Sequence, residues 1–423
     1  MVLTEPFVVP PPSTADAGPV PLLFLISDTG GGHRGAARAV GEALDRRYPG
    51  RFAPVLCDPL RGPAVPWPLR LIAGWYGPVI RRAPWLWGAA YHACDSRAGM
   101  WLLERTLLRL AIGPVAAAAS AGRPAAVVSF HPLTGQAAIE ARNTAAPGAP
   151  VVTVVTDLAR MHAAWRFPSA DLVVSGWPPV ASRFTSAPAD RAAIRRSLGL
   201  DGQRFLILLA GGAEGSGGLG RRARAILRRF PDAGVVAVCG HNRRLQRRLG
   251  QSAARSGRRL RVTGYTGDMA ALLRCCDLVV TKAGPGTIAE AACCGTPMLL
   301  SSRLPGQEAG NIELVTAAGA GRRARSVRRL LAELGALRSD PGRLEAMRAA
   351  AAGLGRPGAA GEIAELIAGL ATSDNSKKWR AADNSKKWRG TDGRRETDNS
   401  KKRPGADGRP NADNSKKRVG SPC

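Results

Sequence analysis

The sequence predicts an α/β protein built from two successive βαβ assemblies. Short apolar runs alternate with helix-like segments from residue 21 to about residue 371. Several of these runs are apolar throughout, which is typical of parallel strands buried on both faces. In each assembly the first strand-like run leads directly into a glycine-rich loop and then into a helix.

Ten strand-length runs define the two assemblies. Five lie in the first assembly, at residues 21–27, 52–58, 125–131, 150–157 and 170–176. Five more lie in the second, at residues 205–212, 234–240, 260–266, 277–282 and 297–302. The segment 188–203 reads as a helix and a linker. We therefore predict domains at 21–190 and 200–371, a disordered N-terminus at 1–20 and a basic tail at 372–423.

The chain is strongly basic, with a formal net charge of +29 over 423 residues. Residues 373–423 hold 15 Lys/Arg and 7 Asp/Glu, so +8 belongs to this tail and +21 to the rest. The tail repeats DNSKK four times and has almost nothing to bury, which predicts disorder. The excess charge indicates an anionic partner: nucleic acid, a phosphorylated ligand or an acidic lipid surface.

Cysteine usage and hydropathy indicate the cellular compartment of the protein. The eight cysteines include two adjacent pairs and form no CxxC or Cys/His spacing, so we expect reduced thiols and no zinc. The N-terminus has no basic region before an apolar stretch, and no run of about 18 apolar residues occurs. We expect a cytoplasmic protein, peripheral on the inner face of the cell membrane.

Residues 63–112 hold five of the nine tryptophans, interleaved with arginines. Trp, Tyr and Arg together are typical of a lipid headgroup boundary. The alternative is an ordinary helical insertion with aromatic packing. The residues predicted to dock on a membrane are Trp75, Arg81, Arg82, Trp85 and Trp87.

Two glycine loops have GxGxxG spacing between a strand and a helix: Gly30/Gly32/Gly35 and Gly215/Gly217/Gly220. Such loops let backbone N–H groups approach an anion. His33 lies in the first loop at a helix start, where the positive end of the helix dipole should lower its pKa. A neutral His33, oriented by Asp28, could act as a general base. Alternatively, His33 only hydrogen-bonds the loop.

The segment 277–297, DLVVTKAGPGTIAEAACCGTP, ends a strand in Lys282 and continues through a stiff glycine loop. Thr287 and Glu290 have capping-box spacing and could merely cap the next helix. Alternatively, Gly284–Thr287 hold a diphosphate and Glu290 a ribose. The polar residues Gln307, Glu308 and Asn311 then open another helix and suit the hydroxyl groups of a sugar.

Taken together, KAGPGTIAEA and PGQEAGN resemble the C-terminal donor motifs of the GT-B glycosyltransferases of family 28. The motifs SDTGGGHR, HPL and TVVTDL resemble the N-terminal domain of monogalactosyldiacylglycerol synthases and processive diacylglycerol glucosyltransferases. The resemblance covers about residues 21–370. It implies two Rossmann-like domains facing across a cleft, a UDP-sugar bound by the second domain, and a lipid acceptor presented by the first.

The resemblance also implies roles for single residues. His33 would be the general base, with Asp28 beside it. The residues implied to bind the donor are Gly211, Gly212, Glu214, Gly215, Asn242, Gly264, Tyr265, Lys282, Gly284, Gly286, Thr287, Glu290, Gln307, Glu308 and Asn311. Those implied on the acceptor side are Gly31, Gly32, His131, Asp157, His162 and Trp165. His241 stands where the family usually has Arg or Lys.

Other functions remain open from the residues alone. An NAD(P)-dependent oxidoreductase is one, with Asp58 at the end of the second strand to hold a ribose. A UDP-sugar epimerase on the same fold and a non-enzymatic basic protein that binds membranes or nucleic acid are others. The sequence has no DxD pair, which argues against metal-dependent handling of a diphosphate. We expect no metal and no cofactor besides the UDP-sugar co-substrate, and we expect nucleic acid not to be a partner.

Overall fold

A computed structural model describes residues 18–27, 31–61, 65–166, 169–186, 190–202, 204–254, 256 and 259–372. Asp28 and Gly30 lie outside the described residues. Most of the predicted disordered N-terminus and nearly all of the basic tail also lie outside them.

The first assembly folds into a parallel sheet whose strand order is β2-β1-β3-β4-β5. Its strands are β1 (Val20–Leu25), β2 (Phe52–Cys57), β3 (Ala126–Ser129), β4 (Val151–Val154) and β5 (Leu172–Val174). All five strands predicted for this half are confirmed. The strands β3 and β4 are buried along their whole length, as expected for a sheet covered by helices on both faces.

The second assembly forms a parallel sheet of order β11-β10-β9-β6-β7-β8. Its strands are β6 (Phe205–Ala210), β7 (Ala233–Val238), β8 (Leu260–Thr263), β9 (Leu278–Lys282), β10 (Met298–Ser302) and β11 (Gly321–Arg323). Five of these six strands are predicted from the sequence. The sequence misses β11 because a three-residue strand reading Gly-Arg-Arg has neither apolar content nor alternation.

Helices connect the strands and cover both sheets. The helices are α1 (Gly32–Arg47), α2 (Trp67–Arg82), α3 (Pro84–Cys94), α4 (Arg97–Thr106), α5 (Ile112–Gly122), α6 (Gly135–Ala145), α7 (Ser182–Thr185), α8 (Arg191–Ser197), α9 (Leu219–Arg229), α10 (Arg243–Ala254), α11 (Met269–Cys275), α12 (Pro285–Cys293), α13 (Ala309–Ala317), α14 (Val327–Ser339), α15 (Pro341–Leu354) and α16 (Ala359–Thr372). Short 3-10 turns span Leu108–Ala111, Pro132–Thr134 and Ala163–Trp165.

The last helix joins the two halves. The sequence places α16 in the second domain, but α16 packs along α1 of the first. An ion pair between Arg47 and Glu365, 2.8 Å apart, lies at this contact. The apolar side chains of α16, including Ile363 and Ile367, are buried in the same core as α1. The second domain is therefore tied to the first by its C-terminal helix as well as by the linker.

In the described part of the chain, no helix combines the length and the apolar character that a bilayer crossing requires. The carboxyl ends of both sheets lead into the glycine-rich loops and polar turns described below. In open parallel sheets this edge is where ligands bind.

Candidate active site

His33 lies in the first turn of α1, and two groups hold its ring from one side. Its Nδ1 is 2.8 Å from the carbonyl oxygen of Phe130 and 2.9 Å from Oγ1 of Thr156. A carbonyl oxygen only accepts hydrogen bonds, so Nδ1 must carry the proton. The other ring nitrogen, Nε2, therefore has the free lone pair that a general base needs.

The pKa of His33 is lowered to about 4 because burial disfavours the charged ring, and the bond to the Phe130 carbonyl opposes this only in part. The imidazole is therefore neutral at pH 7. A lowered pKa is the direction expected from the sequence. In the structure the cause of the lowered pKa is burial, rather than the helix dipole expected from the sequence. Since Asp28 is not described, the orienting groups in view are Phe130 and Thr156.

His131 lies against His33, with ring centroids 4.4 Å apart in an edge-to-face arrangement. Its Nδ1 accepts a hydrogen bond from the backbone N–H of Leu133 at 3.2 Å. Burial, and then the neighbouring His33, lower the pKa of His131 well below the usual histidine value. His131 is therefore a second neutral imidazole that packs beside the base and fixes the start of the Pro132–Thr134 turn.

Asp157 lies near groups of both domains. The indole Nε1 of Trp165 donates to its carboxylate at 2.7 Å. Burial raises the pKa of Asp157, and Trp165 together with the side chain of Gln307 in the second domain opposes the rise. Trp165 is only 1% exposed, and its ring centroid lies 6.4 Å from that of His33, so its contact with an acceptor stays a prediction. It supports Asp157 from inside the fold.

His162 is corrected from an acceptor contact to a structural residue. Its Nδ1 accepts from the N–H of Ala164 at 3.0 Å, and its Nε2 lies 3.0 Å from the carbonyl oxygen of Tyr91. Both ring nitrogens are thus used by backbone groups, and the side chain is buried. His162 joins α3 to the turn before Trp165.

The second glycine loop, residues 211–217, follows β6 and folds tightly on itself. The N–H of Ser216 donates to the carbonyl of Gly211 at 3.0 Å. Gly215 has φ +57°, and a side chain there would meet the carbonyl oxygen of Cys239 at 2.2 Å. Only glycine fits this position. Asn242 caps α10, because its Oδ1 accepts from the N–H of Leu245, and its predicted donor contact stays a prediction.

Lys282 lies between this loop and the next. Its Nζ forms an ion pair with Oε1 of Glu308 at 2.6 Å, and Oε2 of Glu308 accepts from the N–H of Leu304. Burial would lower the pKa of Lys282, but Glu308 and Tyr76 outweigh burial and raise it. Added methyl groups at Gly212 and Gly284 would lie 3.0 Å from Cε and 3.2 Å from Nζ of Lys282, respectively. The ammonium group is therefore centred between the two glycine loops.

The helix α12 begins without a side-chain cap. Its N-cap is Gly284 with no side-chain hydrogen bond, and Pro285 is its first residue. Thr287 and Glu290 therefore do not form the capping box that their spacing allows. The first-turn N–H groups of a helix have no helical acceptor and attract anions. Burial raises the pKa of Glu290 to about 7, with Arg183 opposing the rise.

Two further donor-side residues differ in their surroundings. Asn311 is buried: its Nδ2 donates to the carbonyl of Ala283, and its Oδ1 accepts from the N–H of Ala159 in the first domain. Asn311 is thus corrected from a sugar contact to a bridge between domains.

Tyr265 is 65% exposed and stacks on His241 at 4.7 Å with an 8° tilt. This open aromatic face follows Gly264 at the end of β8.

The loop that carries His33 meets both glycine loops of the second domain. A methyl group added at Gly31 would lie 3.1 Å from Cβ of Ala213. One added at Gly286 would lie 3.9 Å from Cα of Gly32. The loop before His33 and the predicted donor loops thus lie together at the junction of the two sheets.

Comparison with known proteins assigns this site to a family. The model of the glycosyltransferase family 28 C-terminal domain matches residues 206–363. A probable monogalactosyldiacylglycerol synthase 2 of Oryza sativa subsp. japonica is 32% identical over 333 residues, covering 71% of this chain and 70% of that protein. The chain belongs to glycosyltransferase family 28. Monogalactosyldiacylglycerol synthase 1 of Arabidopsis thaliana is 29% identical over 338 residues, covering 73% of this chain and 63% of that protein.

Solved structures of related fold support the GT-B architecture of this family 28 protein. MurG of Acinetobacter baumannii aligns with a TM-score of 0.52 and 18% identity, over 82% of this chain and 99% of that one. The Staphylococcus aureus MnaA–UDP structure aligns with a TM-score of 0.52 and 12% identity, over 81% and 94% of the two chains. The family membership favours a glycosyltransferase over the oxidoreductase and the non-enzymatic interpretations. Asp58, the ribose ligand of the former, instead accepts from the N–H of Leu60 in a turn.

The tryptophan segment of this family 28 chain forms α2 to α4, and four of its five tryptophans face outward. We call the following exposed side chains the tryptophan surface: Trp67, Leu71, Trp75, Trp85, Leu86, Trp101 and Leu102. Trp87 is corrected, because its ring packs edge-to-face on Tyr76 and its Nε1 is buried. Arg82 is exposed, and the side chain of Arg81 is not described.

Sequence reasoning missed three groups in this glycosyltransferase site: the Phe130 carbonyl, Thr156 and Tyr76. A backbone carbonyl has no sequence signal. Thr156 precedes Asp157 in TVVTDL and reads as a buried strand residue. Tyr76 adjoins Trp75 in the tryptophan segment, where aromatic residues are expected on the outer face.

Proposed function

We propose that this glycosyltransferase moves a hexose from a UDP-sugar to the hydroxyl group of a diacylglycerol-type lipid, with inversion and with His33 as general base. The observation that carries the proposal is the contact of the His33 loop with both glycine loops. It brings the helix of the neutral imidazole next to the two loops whose N–H groups, with Lys282, would bind a diphosphate.

The proposed reaction uses the His33 base and the diphosphate site together. The acceptor oxygen attacks the anomeric carbon while the bond from that carbon to the diphosphate oxygen breaks. Nε2 of His33 takes the hydroxyl proton, and UDP leaves with the bonding electrons. Attack from the side opposite the leaving group inverts the anomeric centre and gives a β-glycoside from an α-linked donor.

The leaving diphosphate gains negative charge, which Lys282 and the first turn of α12 are placed to stabilise. Glu290 lies farther along α12 and would accept from the ribose hydroxyl groups once ionised. Gln307 would bind the sugar, because its Oε1 is buried and accepts no hydrogen bond from any residue that the structure describes. The exposed ring of Tyr265 would stack on the uracil.

The relatives support the donor and the acceptor. Those named above are monogalactosyldiacylglycerol synthases, whose name gives the acceptor class, and the structural neighbour MnaA is a complex with UDP. The tryptophan surface and the excess of basic residues support docking on an anionic leaflet. We place the protein on the cytoplasmic face of the cell membrane.

The test is to incubate the purified protein with radiolabelled UDP-galactose, UDP-glucose and UDP-N-acetylglucosamine and a lipid extract, and to identify the labelled product. We expect one labelled glycolipid, with the sugar β-linked. His33→Ala should lower transfer by about a hundredfold or more, while UDP affinity stays near that of the wild type. Full turnover by His33→Ala would refute the assigned base. Conversion of the donor without an acceptor would instead indicate an epimerase.

The proposal assigns the diphosphate to Lys282 and helix N–H groups and needs no metal. Turnover in excess EDTA should therefore equal turnover without it. A loss that Mg²⁺ or Mn²⁺ restores would require a metal in the mechanism.

A further inference from the structure

The helix α2 has two faces with different surroundings. Trp67, Leu71 and Trp75 recur every four residues and are exposed, so they form one outward stripe. Leu69 and Ile80 are buried against the fold. Tyr76 lies on this inner side, next in sequence to Trp75 but turned about 100° around the helix.

The phenol of Tyr76 is near charged groups of both domains. Burial raises its pKa to about 12, and the charges of Lys282, Glu308, Glu214 and Asp157 also act on it. Three of these groups belong to the second domain, and Asp157 belongs to the first. The phenol therefore stays a neutral hydrogen-bonding group at any ordinary pH.

Helix α3 braces Tyr76 against the turn that carries Gln307 and Glu308. The ring of Trp87 packs edge-to-face on Tyr76 with centroids 5.0 Å apart. A methyl group added at Gly88 would lie 2.6 Å from Cβ of Pro305, and one at Gly306 would lie 2.5 Å from the ring of Tyr91. Helix α3 thus packs directly on this turn, and α2 packs on α3 through Tyr76 and Trp87.

We propose that Tyr76 contacts the transferred sugar, so that α2 both docks the protein on the lipid surface and completes the sugar pocket. The inference rests on the proposed function and adds a residue to its donor site. The tyrosine hydroxyl would donate to, or accept from, a sugar hydroxyl, and the buried Oε1 of Gln307 would accept from another. The uridine part of the donor would be held by the second domain.

The test compares Tyr76→Phe with Tyr48→Phe, which removes the same hydroxyl at the far end of α1 from His33. UDP and UDP-sugar affinities are measured by calorimetry on the whole chain. Steady-state kinetics gives kcat/KM with each donor. We expect Tyr76→Phe to bind UDP as the wild type does. It should bind UDP-sugar, and turn it over, about 3- to 12-fold less well, the range for one lost hydrogen bond. Tyr48→Phe should match the wild type in all three measurements.

The outcomes separate this inference from the proposed function. Equal losses for UDP and UDP-sugar would mean that Tyr76 only supports Lys282 and Glu308, and no loss would mean that it does not touch the donor; either result overturns the inference while transfer by the wild type stands. A wild-type protein that binds UDP but transfers no sugar would overturn the proposed function itself, and the inference with it.

A separate measurement tests whether α2 serves both membrane docking and the sugar pocket. Trp75→Ala should weaken binding to vesicles of phosphatidylglycerol and phosphatidylcholine several-fold, yet leave UDP-sugar affinity in detergent unchanged. Tyr76→Phe should show the reverse pattern. If both changes alter vesicle binding equally, α2 does not divide its two faces as proposed.

Discussion

At the scale of single residues, the orientation of His33 depends on two acceptors at Nδ1. Thr156→Val keeps the shape of the side chain and removes the hydroxyl 2.9 Å from that nitrogen, while the Phe130 carbonyl remains. We expect kcat to fall by about 3- to 10-fold with KM for the donor unchanged, since one neutral hydrogen bond is lost away from the donor. Steady-state kinetics measures both. A change in KM alone would place Thr156 in donor binding.

Glu290 predicts a pH dependence of nucleoside binding. Its pKa is raised to about 7 by burial, so the carboxyl group is largely neutral below that pH. A ribose diol donates to a carboxylate, so affinity should rise as pH increases through 7, by about several-fold between pH 6 and 8. Uridine is the probe, because it has no phosphate that titrates in this range. NMR titration of Glu290→Gln should show a flat profile; a wild-type slope in that variant would remove Glu290 from the site.

The same raised pKa has a consequence for stability. Glu290 is neutral in the folded state and ionised in the unfolded state between its ordinary pKa and about 7. Its contribution to the free energy of unfolding is therefore complete at low pH and is lost as pH rises through 7. In Glu290→Gln, which cannot ionise, this part of the pH dependence should vanish from denaturant unfolding curves.

At the scale of elements, α3 packs on the turn before α13. The geometry of the proposed sugar site therefore depends on a helix of the tryptophan segment. Gly306 has φ +81°, and a Cβ there would lie 2.5 Å from the Tyr91 ring. Gly306→Ala should therefore displace Gln307 and lower transfer by about tenfold or more, with UDP affinity nearly unchanged. Kinetics and calorimetry measure the two effects.

Gly319→Ala is the matched control for that change. Gly319 has a similar φ of +71°, but its added Cβ would meet only Cβ of Ala350 at 3.7 Å. Both variants share the backbone strain of an alanine in the left-handed region. Only Gly306→Ala adds a clash at the sugar turn. If the two variants lose equal activity, strain alone accounts for the effect and the turn does not position the sugar.

Most elements were predictable because apolar runs without alternation mark parallel strands. Ten of the eleven strands follow from that pattern, and β11 does not because it is too short and polar. The packing of α16 on α1 was not predictable, because helical periodicity shows which face is buried but not the partner that buries it.

The candidate site was also predictable only in part. Glycine spacing and residue type located His33, Lys282 and the start of α12, because those chemistries need particular residues at particular loop positions. Four side chains predicted to contact ligands (Asn242, Asn311, His162 and Trp165) also make internal hydrogen bonds, as a cap, a bridge and buried supports. The sequence does not distinguish a polar residue that serves the fold from one that binds the ligand.

At the scale of the whole molecule, the two domains meet at the glycine loops and through the core that α16 shares with α1. Asn311 bonds Ala283 of its own domain and Ala159 of the first, so its side chain spans the cleft. The proposed function leaves the tryptophan surface for the lipid.

The net charge predicts how membrane binding responds to salt and to loss of the tail. Deleting residues 373–423 removes +8 of +29 and none of the residues placed in the site. Transfer to a detergent-dispersed acceptor should be unchanged. Binding to anionic vesicles should weaken and become less sensitive to salt, since screening acts on fewer charges. Vesicle sedimentation from about 50 to 500 mM NaCl measures both affinity and slope. Because +21 and the tryptophan surface remain, most of the binding should persist; its complete loss would show that the tail, rather than the folded part, attaches the protein to the membrane.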